Sequence, residues 1–299
     1  MTSPSGRAPR RPINADLHSH SVVSDGTLEP EALARRAAAN GVELWALTDH
    51  DEIGGQARAR DAARSVGLPW VSGVEISVSF AGTTVHVVGL GFDIDDAALA
   101  SGLAATRGGR EQRARAMAEV LAQVGIEGSF EGALRHAGNP ALISRTHFAR
   151  HLVETGVCAH PHEVFRRYLV GGRPGYVPHR WAALGDAVRW IAGAGGVAVI
   201  AHPGRYRLSV NEEFALFSEF RAHGGQAVEV VTGSHALPDV KKYAALAQEF
   251  GLLASRGSDF HAPGEGRYDL GGLPALPVAV DPVWAALRRE ASSAADGPT

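Results

Sequence analysis

Apolar runs in this chain repeatedly stop at a histidine or a carboxylate. They end at Asp16-Leu17-His18-Ser19-His20, Thr48-Asp49-His50-Asp51, Gly73-Val74-Glu75, Ala201-His202-Pro203 and Gly257-Ser258-Asp259-Phe260-His261. In an extended strand, side chains two residues apart share a face, so His18 and His20 point the same way, as do Asp259 and His261. Imidazole and carboxylate together are the donor set for Zn, Mn or Fe, and this set is too large for one ion. Donors at the ends of successive strands are what a (β/α) barrel gathers at the C-terminal face of its strands. The pattern predicts an α/β hydrolase with a multinuclear metal centre.

The rest of the sequence bounds that expectation. Its 299 residues suffice for one large α/β domain or two smaller ones, with 45% hydrophobic and 20% charged residues. A net charge of -3 supplies no field for coating long nucleic acid, so neither DNA nor RNA coating is expected. A phosphorylated substrate must instead be attracted locally, by metals and particular arginines. Cys158 is the only cysteine, which excludes an intramolecular disulfide and a cysteine-based metal site. Residues 1–12 carry Arg7, Arg10 and Arg11 without an apolar segment, which predicts a disordered tail rather than a secretory signal. No run of 18 apolar residues is present, so a membrane span is not expected and the cytoplasm is the expected location.

Alternating apolar runs and Ala-rich amphipathic stretches predict βαβ units. Strands are expected at Ile13–His18, Glu43–Thr48, Trp70–Glu75, Thr84–Leu90, Gly196–Ala201, Ala227–Val231 and Leu252–Ser255. Phe80-Ala81-Gly82-Thr83 reads as the hairpin turn that returns the chain to His86. A helix capped by Thr27, with Pro30 in its first turn, should run to Asn40 before Gly41, and another should span Asp239–Phe250. Residues 103–178 read as helices only, at Arg107–Val124, Phe130–His136, Ser144–Thr155 and Pro161–Leu169, and suggest a cap over the active site. A final helix is expected at Trp284–Ala291, before a mobile tail over residues 292–299.

His18-x-His20, Asp25, Thr48-Asp49-His50, Gly73-Val74-Glu75, His86, Ala201-His202-Pro203 and Ser258-Asp259-x-His261 together resemble the PHP (polymerase and histidinol phosphatase) family. Their order and spacing are most similar to its bacterial branch of 3′,5′-nucleoside bisphosphate phosphatases, whose relatives include a 5′-to-3′ exoribonuclease. The resemblance runs from about Ile13 to Val280 and misses none of the nine ligand positions. It implies a distorted seven-stranded (β/α) barrel over residues 13–102 and 179–291, with 103–178 inserted as the helical cap. It further implies three divalent ions, Mn above all, with Fe or Zn as alternatives. His18, His20, Glu75 and Asp259 would hold one ion, and Glu75, His86 and His202 a second, with Glu75 bridging. Asp25, His50 and His261 would hold the third.

Such a centre suits a phosphomonoester, whose transition state concentrates negative charge. A water activated between two ions would be the nucleophile, and no Gly-x-Ser-x-Gly elbow offers a serine instead. Ile143-Ser144-Arg145-Thr146-His147-Phe148 resembles the family's Ser-Arg-x-His segment, which reaches the substrate phosphate. A hydroxyl at a helix N-terminus beside a guanidinium suits an anion, although Ser144 as a plain helix cap and Arg145 as a solvated group is the bland alternative. Arg205, just beyond His202, is a second phosphate candidate. His235 follows another strand, as a phosphate contact, a proton donor to the leaving oxygen, or an ordinary loop residue. Asp49 and Asp51 are candidates for orienting imidazoles or capping a helix, and His136, His151, His160 and His162 are expected at the surface. The expected reaction releases the 3′-phosphate of a nucleoside 3′,5′-bisphosphate, or trims short RNA, with no obligate protein partner. Histidinol-phosphate hydrolysis is a second possibility, and a noncatalytic PHP binding module one of another class.

Overall fold

A computed structural model describes residues 12–287 and shows an α/β protein with two sheets. Strands β1 (Ala15–Asp16), β2 (Leu44–Ala46) and β3 (Trp70–Val71) form a parallel three-stranded sheet. The second sheet has the order β6-β4-β5-β7-β8-β9, from β4 (Gly73–Phe80), β5 (Thr83–Leu90), β6 (Ala182–Ala183), β7 (Val197–Ile200), β8 (Ala227–Thr232) and β9 (Leu253–Gly257). β5 runs antiparallel to both neighbours, and the other ladders are parallel. The expected count of seven strands becomes nine, because Trp70–Glu75 divides at Ser72 and the two-residue β6 carries no periodic signal. In place of the expected distorted seven-stranded barrel the described strands form two ladders, which meet through isolated bridges at Ser19↔Phe260 and His50↔Glu75.

Side-chain alternation explains how these ladders enclose a core. Val85 and Val87 of β5 join one apolar cluster, while Val88 and Leu90 join another; in β7, Ala198 and Ile200 separate from Val197 and Val199 in the same way. The cluster built on Leu17, Leu44, Val71, Val88, Val199 and Ala227 takes residues from both sheets. Outside it, α3 (Ala97–Arg107), α8 (Leu184–Gly193), α9 (Val210–Ala222) and α10 (Leu237–Glu249) cover the larger sheet. α1 (Pro30–Ala39) and α2 (Gln56–Ser65) pack around Trp45 and Leu47.

The expected helix boundaries shift for local reasons. Thr27 does not cap α1: its N–H donates to the His261 carbonyl at 2.9 Å, and the helix starts at Pro30 after Glu29. α10 begins at Leu237, with Asp239 accepting the Ala236 N–H at 2.9 Å. The Arg107–Val124 helix is broken at Gly108 and Gly109, so that α3 ends at Arg107 and α4 runs over Arg110–Gln123. α5 (Ser129–Arg135), α6 (Arg145–Glu154) and α7 (Pro161–Val164) follow, and Phe165–Leu169 winds as a π-helix. Met117, Leu121, Phe148, Leu152 and Leu169 form a separate core within this segment, whereas Leu99 and Leu103 of α3 pack with the larger sheet. Near the C-terminus Val283–Ala285 is a single 3-10 turn and Ala286 and Leu287 follow without helix; residues 288–291 of the expected Trp284–Ala291 helix and both tails, apart from residue 12, lie outside the described residues.

Glycine permits a close approach between the two sheets. A Cβ at Gly257 of β9 would stand 2.2 Å from the His18 Cβ and 2.7 Å from its backbone nitrogen. Gly257→Ala should therefore displace His18 and cost about 1–3 kcal/mol through overpacking. Denaturant unfolding measures the stability loss and metal analysis the accompanying loss of bound ions; unchanged values for both would refute the close approach.

Candidate metal centre

The nine candidate donors converge at one place: seven lie in segments that follow β1, β2, β7 and β9, while Glu75 and His86 lie within β4 and β5. Glu75 of β4 is fully buried, and its two carboxylate oxygens face different imidazoles. Oε1 lies 2.7 Å from His86 Nδ1 and 2.8 Å from His202 Nε2. Oε2 lies 3.0 Å from His50 Nδ1 and 3.3 Å from both His18 Nε2 and His20 Nε2. The hairpin accounts for part of this: a two-residue loop with positive φ at Ala81 and Gly82 pairs Ser77 with His86, leaving His86 diagonal to Glu75 on one face. Asp259 Oδ1 lies 3.5 Å from His18 Nε2 and 3.3 Å from His20 Nε2. Asp25 reaches His261 Nε2 at 3.3 Å and His50 Nε2 at 3.8 Å.

The tightest groupings place all donor atoms within 4.8 Å of one another in three sets: His18, Glu75, His202 and Asp259; His20, Asp25, His50 and His261; and His50, Glu75 and His86. His20 therefore stands between the expected first and third sets, and His202 between the first and second, because the sites are contiguous. These donors fit divalent ions on chemistry as well as spacing. His20 Nδ1, Asp25 Oδ1, His50 Nδ1, Glu75 Oε2 and His202 Nδ1 are buried without a hydrogen-bond partner, a costly state that coordination would relieve for donors aimed at an ion.

Carboxylates and imidazoles answer one another across the centre: against burial, the facing carboxylates hold His20 up to about 10 and His18 well above the usual imidazole range. Burial opposes ionisation of Glu75, yet His86, His50 and His18 hold its carboxyl well below the usual range. Asp25 and Asp259 are likewise held down against burial, by His50 and His261 and by His18 and Arg205 respectively. His86 behaves differently: burial pushes its imidazole down to about 4, leaving a neutral ring able to donate a lone pair.

Residues outside the donor set orient it. Glu229, buried in β8, accepts from His18 Nδ1 at 2.8 Å and from the His202 N–H at 2.6 Å. The first bond selects the tautomer that turns His18 Nε2 inward; the second supports His202, whose φ is +23°. The Tyr206 hydroxyl accepts the His86 N–H and donates to the Ala201 carbonyl, both at 2.8 Å. Asp49 accepts from the Ser21 N–H, Ser21 Oγ and Ser24 Oγ at 2.6–2.8 Å, fixing the turn before Asp25. Asp51 accepts from the Ser77 N–H at 2.7 Å and pairs with Arg110. Both aspartates thus orient neighbours rather than cap helices.

A cleft of about 570 Å³ opens onto the donors and is walled by arginines. Ser144, Arg145 and Arg205 line it as expected, joined by Arg110, Arg113, Phe165 and Trp181, to which the sequence analysis assigned no role. Ser144 does cap α6, accepting the Thr146 N–H at 3.2 Å, and its Oγ also donates to Asp25 Oδ2 at 3.1 Å. Arg205 pairs with Asp259. Arg110 and Arg113 stack on Trp181, with guanidinium carbons 4.6 Å and 5.3 Å from the ring centroid. Two expected contacts are corrected. His147 is buried in the α6 capping box, its Nδ1 accepting the Ser144 N–H at 3.0 Å, and does not line the cleft. His235 uses both ring nitrogens on the backbone, with the Gly204 N–H at 3.1 Å and the Val230 carbonyl at 3.0 Å, so no free nitrogen remains to donate a proton.

Imidazoles and carboxylates at strand ends, in this order and around this shared glutamate, place the chain in the PHP family, whose domain matches residues 16–148. The chain is 53% identical over 283 residues to a 3′,5′-nucleoside bisphosphate phosphatase of Chromobacterium violaceum, spanning 95% of this chain and 99% of that protein. It is 42% identical over 271 residues to the 5′-3′ exoribonuclease Rnm of Escherichia coli, spanning 90% and 92%. A solved structure of an amidohydrolase from Chromobacterium violaceum, with sulfate bound and no metal, has 53% identity and a TM-score of 0.89, over 92% of this chain and 95% of that one. No described helix is long and apolar enough to cross a membrane.

Glu229→Gln keeps one acceptor oxygen but loses the charge that orients His18 and His202. Metal affinity should fall ~10–100-fold, measured by chelator competition with circular dichroism as the folding control. Undiminished affinity in a folded variant would remove Glu229 from the centre.

Proposed function

We propose that this protein is a metal-dependent phosphoesterase that removes the 3′-phosphate from nucleoside 3′,5′-bisphosphates and leaves the 5′-monophosphate. The observation that carries the reading is one cleft with two chemistries: seven of the nine candidate metal donors on its floor, with His18 and His20 buried beneath, and Arg110, Arg113, Arg145 and Arg205 on its walls. Similarity to the bisphosphate phosphatase across nearly the whole chain supports the substrate class. Similarity to the exoribonuclease supports trimming of 5′ ends of short RNA at the same site, where the scissile phosphate would be a diester.

Three divalent ions, Mn by preference, would be held by His18, His20, Glu75 and Asp259, by Glu75, His86 and His202, and by Asp25, His50 and His261. When bound they would neutralise phosphoryl charge and lower the pKa of water near neutrality. Glu75 would serve two of these ions, since its oxygens face separate imidazole groups. Ser144 Oγ beside Asp25 and Arg145 at the start of α6 hold phosphoryl oxygens, the guanidinium offering a fork where a lysine would offer a point charge. Trp181 keeps Arg110 and Arg113 extended along the wall before substrate arrives. In this proposal the two ladders work as one distorted seven-stranded barrel, supported by the apolar cluster they share, and residues 110–178 act as its helical cap. The proposed place of action is the cytoplasm, on small nucleotides or short RNA, without an obligate protein partner.

Phosphate release from a panel of bisphosphonucleotides, mononucleotides and histidinol phosphate, with mononucleotide release from short 5′-phosphorylated RNA, tests the reading. Bisphosphonucleotides or RNA should be turned over best; preference for histidinol phosphate would reassign the substrate, and no turnover with metals loaded would favour a noncatalytic module. Glu75→Gln should lower turnover at least ~100-fold, beyond the usual loss for a group that only orients a ligand. Arg145→Ala should cost the bisphosphate about 1.5–3 kcal/mol, or ~10–100-fold in kcat/KM, and a small generic phosphate ester less. Equal losses on both substrates would place Arg145 at the scissile phosphate.

A further inference from the structure

Away from the cleft, the helical segment holds a second group of donors. His136 stands at the C-terminal end of α5, and His151 and Glu154 occupy the last turn of α6. One donor atom from each residue lies within 4.8 Å of the other two. His136 Nε2 is 3.1 Å from Glu154 Oε2, and His151 Nδ1 is 3.8 Å from the same oxygen.

His151 corrects the expectation of a surface histidine. Its residue exposure is 5%, and its Nδ1 is buried with no hydrogen-bond partner although it faces Glu154. The ring fits because α5 has glycine at position 132: a Cβ there would stand 2.3 Å from His151 Cε1 and Nε2. His136 and Glu154 are reachable from solvent, which gives an ion an entry path and room for a water ligand. Arg135 Nη2, 3.6 Å from Glu154 Oε2, is the rival cation. It can satisfy the carboxylate but, being a donor only, leaves His151 Nδ1 unpaired.

We propose that His136, His151 and Glu154 form a zinc site, separate from the catalytic centre, that ties the end of α5 to the last turn of α6. Two imidazoles and one carboxylate with an open fourth position are a tetrahedral zinc donor set, and nitrogen-rich sites favour Zn over Mn. Its role is structural: it closes the α5–α6 pair over the apolar core of Phe130, Phe148 and Leu152.

The test is a zinc titration of metal-stripped full-length protein, comparing wild type with His136→Gln and Glu154→Gln. Both variants change solvent-accessible side chains, sparing the buried His151. Wild type should bind one more zinc equivalent than either variant, at micromolar zinc or below, while the remaining equivalents stay unchanged. Zinc-edge anomalous scattering should place that ion between α5 and α6, about 2.0–2.2 Å from its donors. Equal stoichiometry in all three proteins, occupancy only at millimolar zinc, or no anomalous peak at saturating zinc would overturn the site. None of these readouts depends on turnover, so they stand or fall separately from the phosphoesterase reading.

Discussion

A buried carboxylate organises this protein. Glu75 carries an ionised group fully out of water, a situation that costs several kcal/mol unless positive charge or hydrogen bonds answer it. Five imidazoles, from His18, His20, His50, His86 and His202, approach its two oxygens within 3.3 Å. Because those histidines come from β1, β2, β5 and β7 or the residues just beyond them, one side chain draws together strands from both sheets. The isolated bridge between His50 and Glu75 is the backbone counterpart of that convergence.

The strand ends are bent to serve the same point. Asp51, His202 and Asp259 adopt positive φ, a backbone state that L-residues with side chains seldom occupy. Each is held by hydrogen bonds: the Asp51 N–H to the Glu75 carbonyl at 2.8 Å, the His202 N–H to Glu229, and the Asp259 N–H to the His18 carbonyl at 2.8 Å. Strain is thus concentrated at or beside donors and offset by bonds to other donors or to Glu229, whose carboxylate orients two of them. The centre is therefore coupled mechanically to the closure between the sheets.

The helical segment contributes the opposite chemistry. Its arginines reach the cleft from α4 and α6, where Trp181 and Phe165 stack against them. Among the described residues neither Arg113 nor Arg145 forms an ion pair, and burial, followed by a neighbouring guanidinium, lowers both below the usual arginine range, Arg113 to about 10. Positive charge left uncompensated beside a donor-rich floor suits an anion that can span both, which a molecule with two phosphoryl groups does.

The sequence by itself marked the candidate donors. His18, His20, Asp25, His50, Glu75, His86, His202, Asp259 and His261 were legible as candidates because strand periodicity and strand ends are local properties, and the Gly82 turn announced the return to His86. The α/β class was legible for the same reason. Tertiary structure alone decided the rest. Arg110 and Arg113 lie three residues apart on a helix, a spacing shared with any solvated face, and only the fold turns them toward the cleft. The fold engages both ring nitrogens of His235 and Nδ1 of His147 with backbone groups, whereas Glu229, a lone acid within an apolar strand, is a local signal visible in the sequence. The division of the described strands between two ladders, and the way His50 and Glu75 each fall in two donor groups, depend on non-local register. A one-dimensional pattern does not encode that register, because hydrogen bonds between strands join residues far apart in sequence.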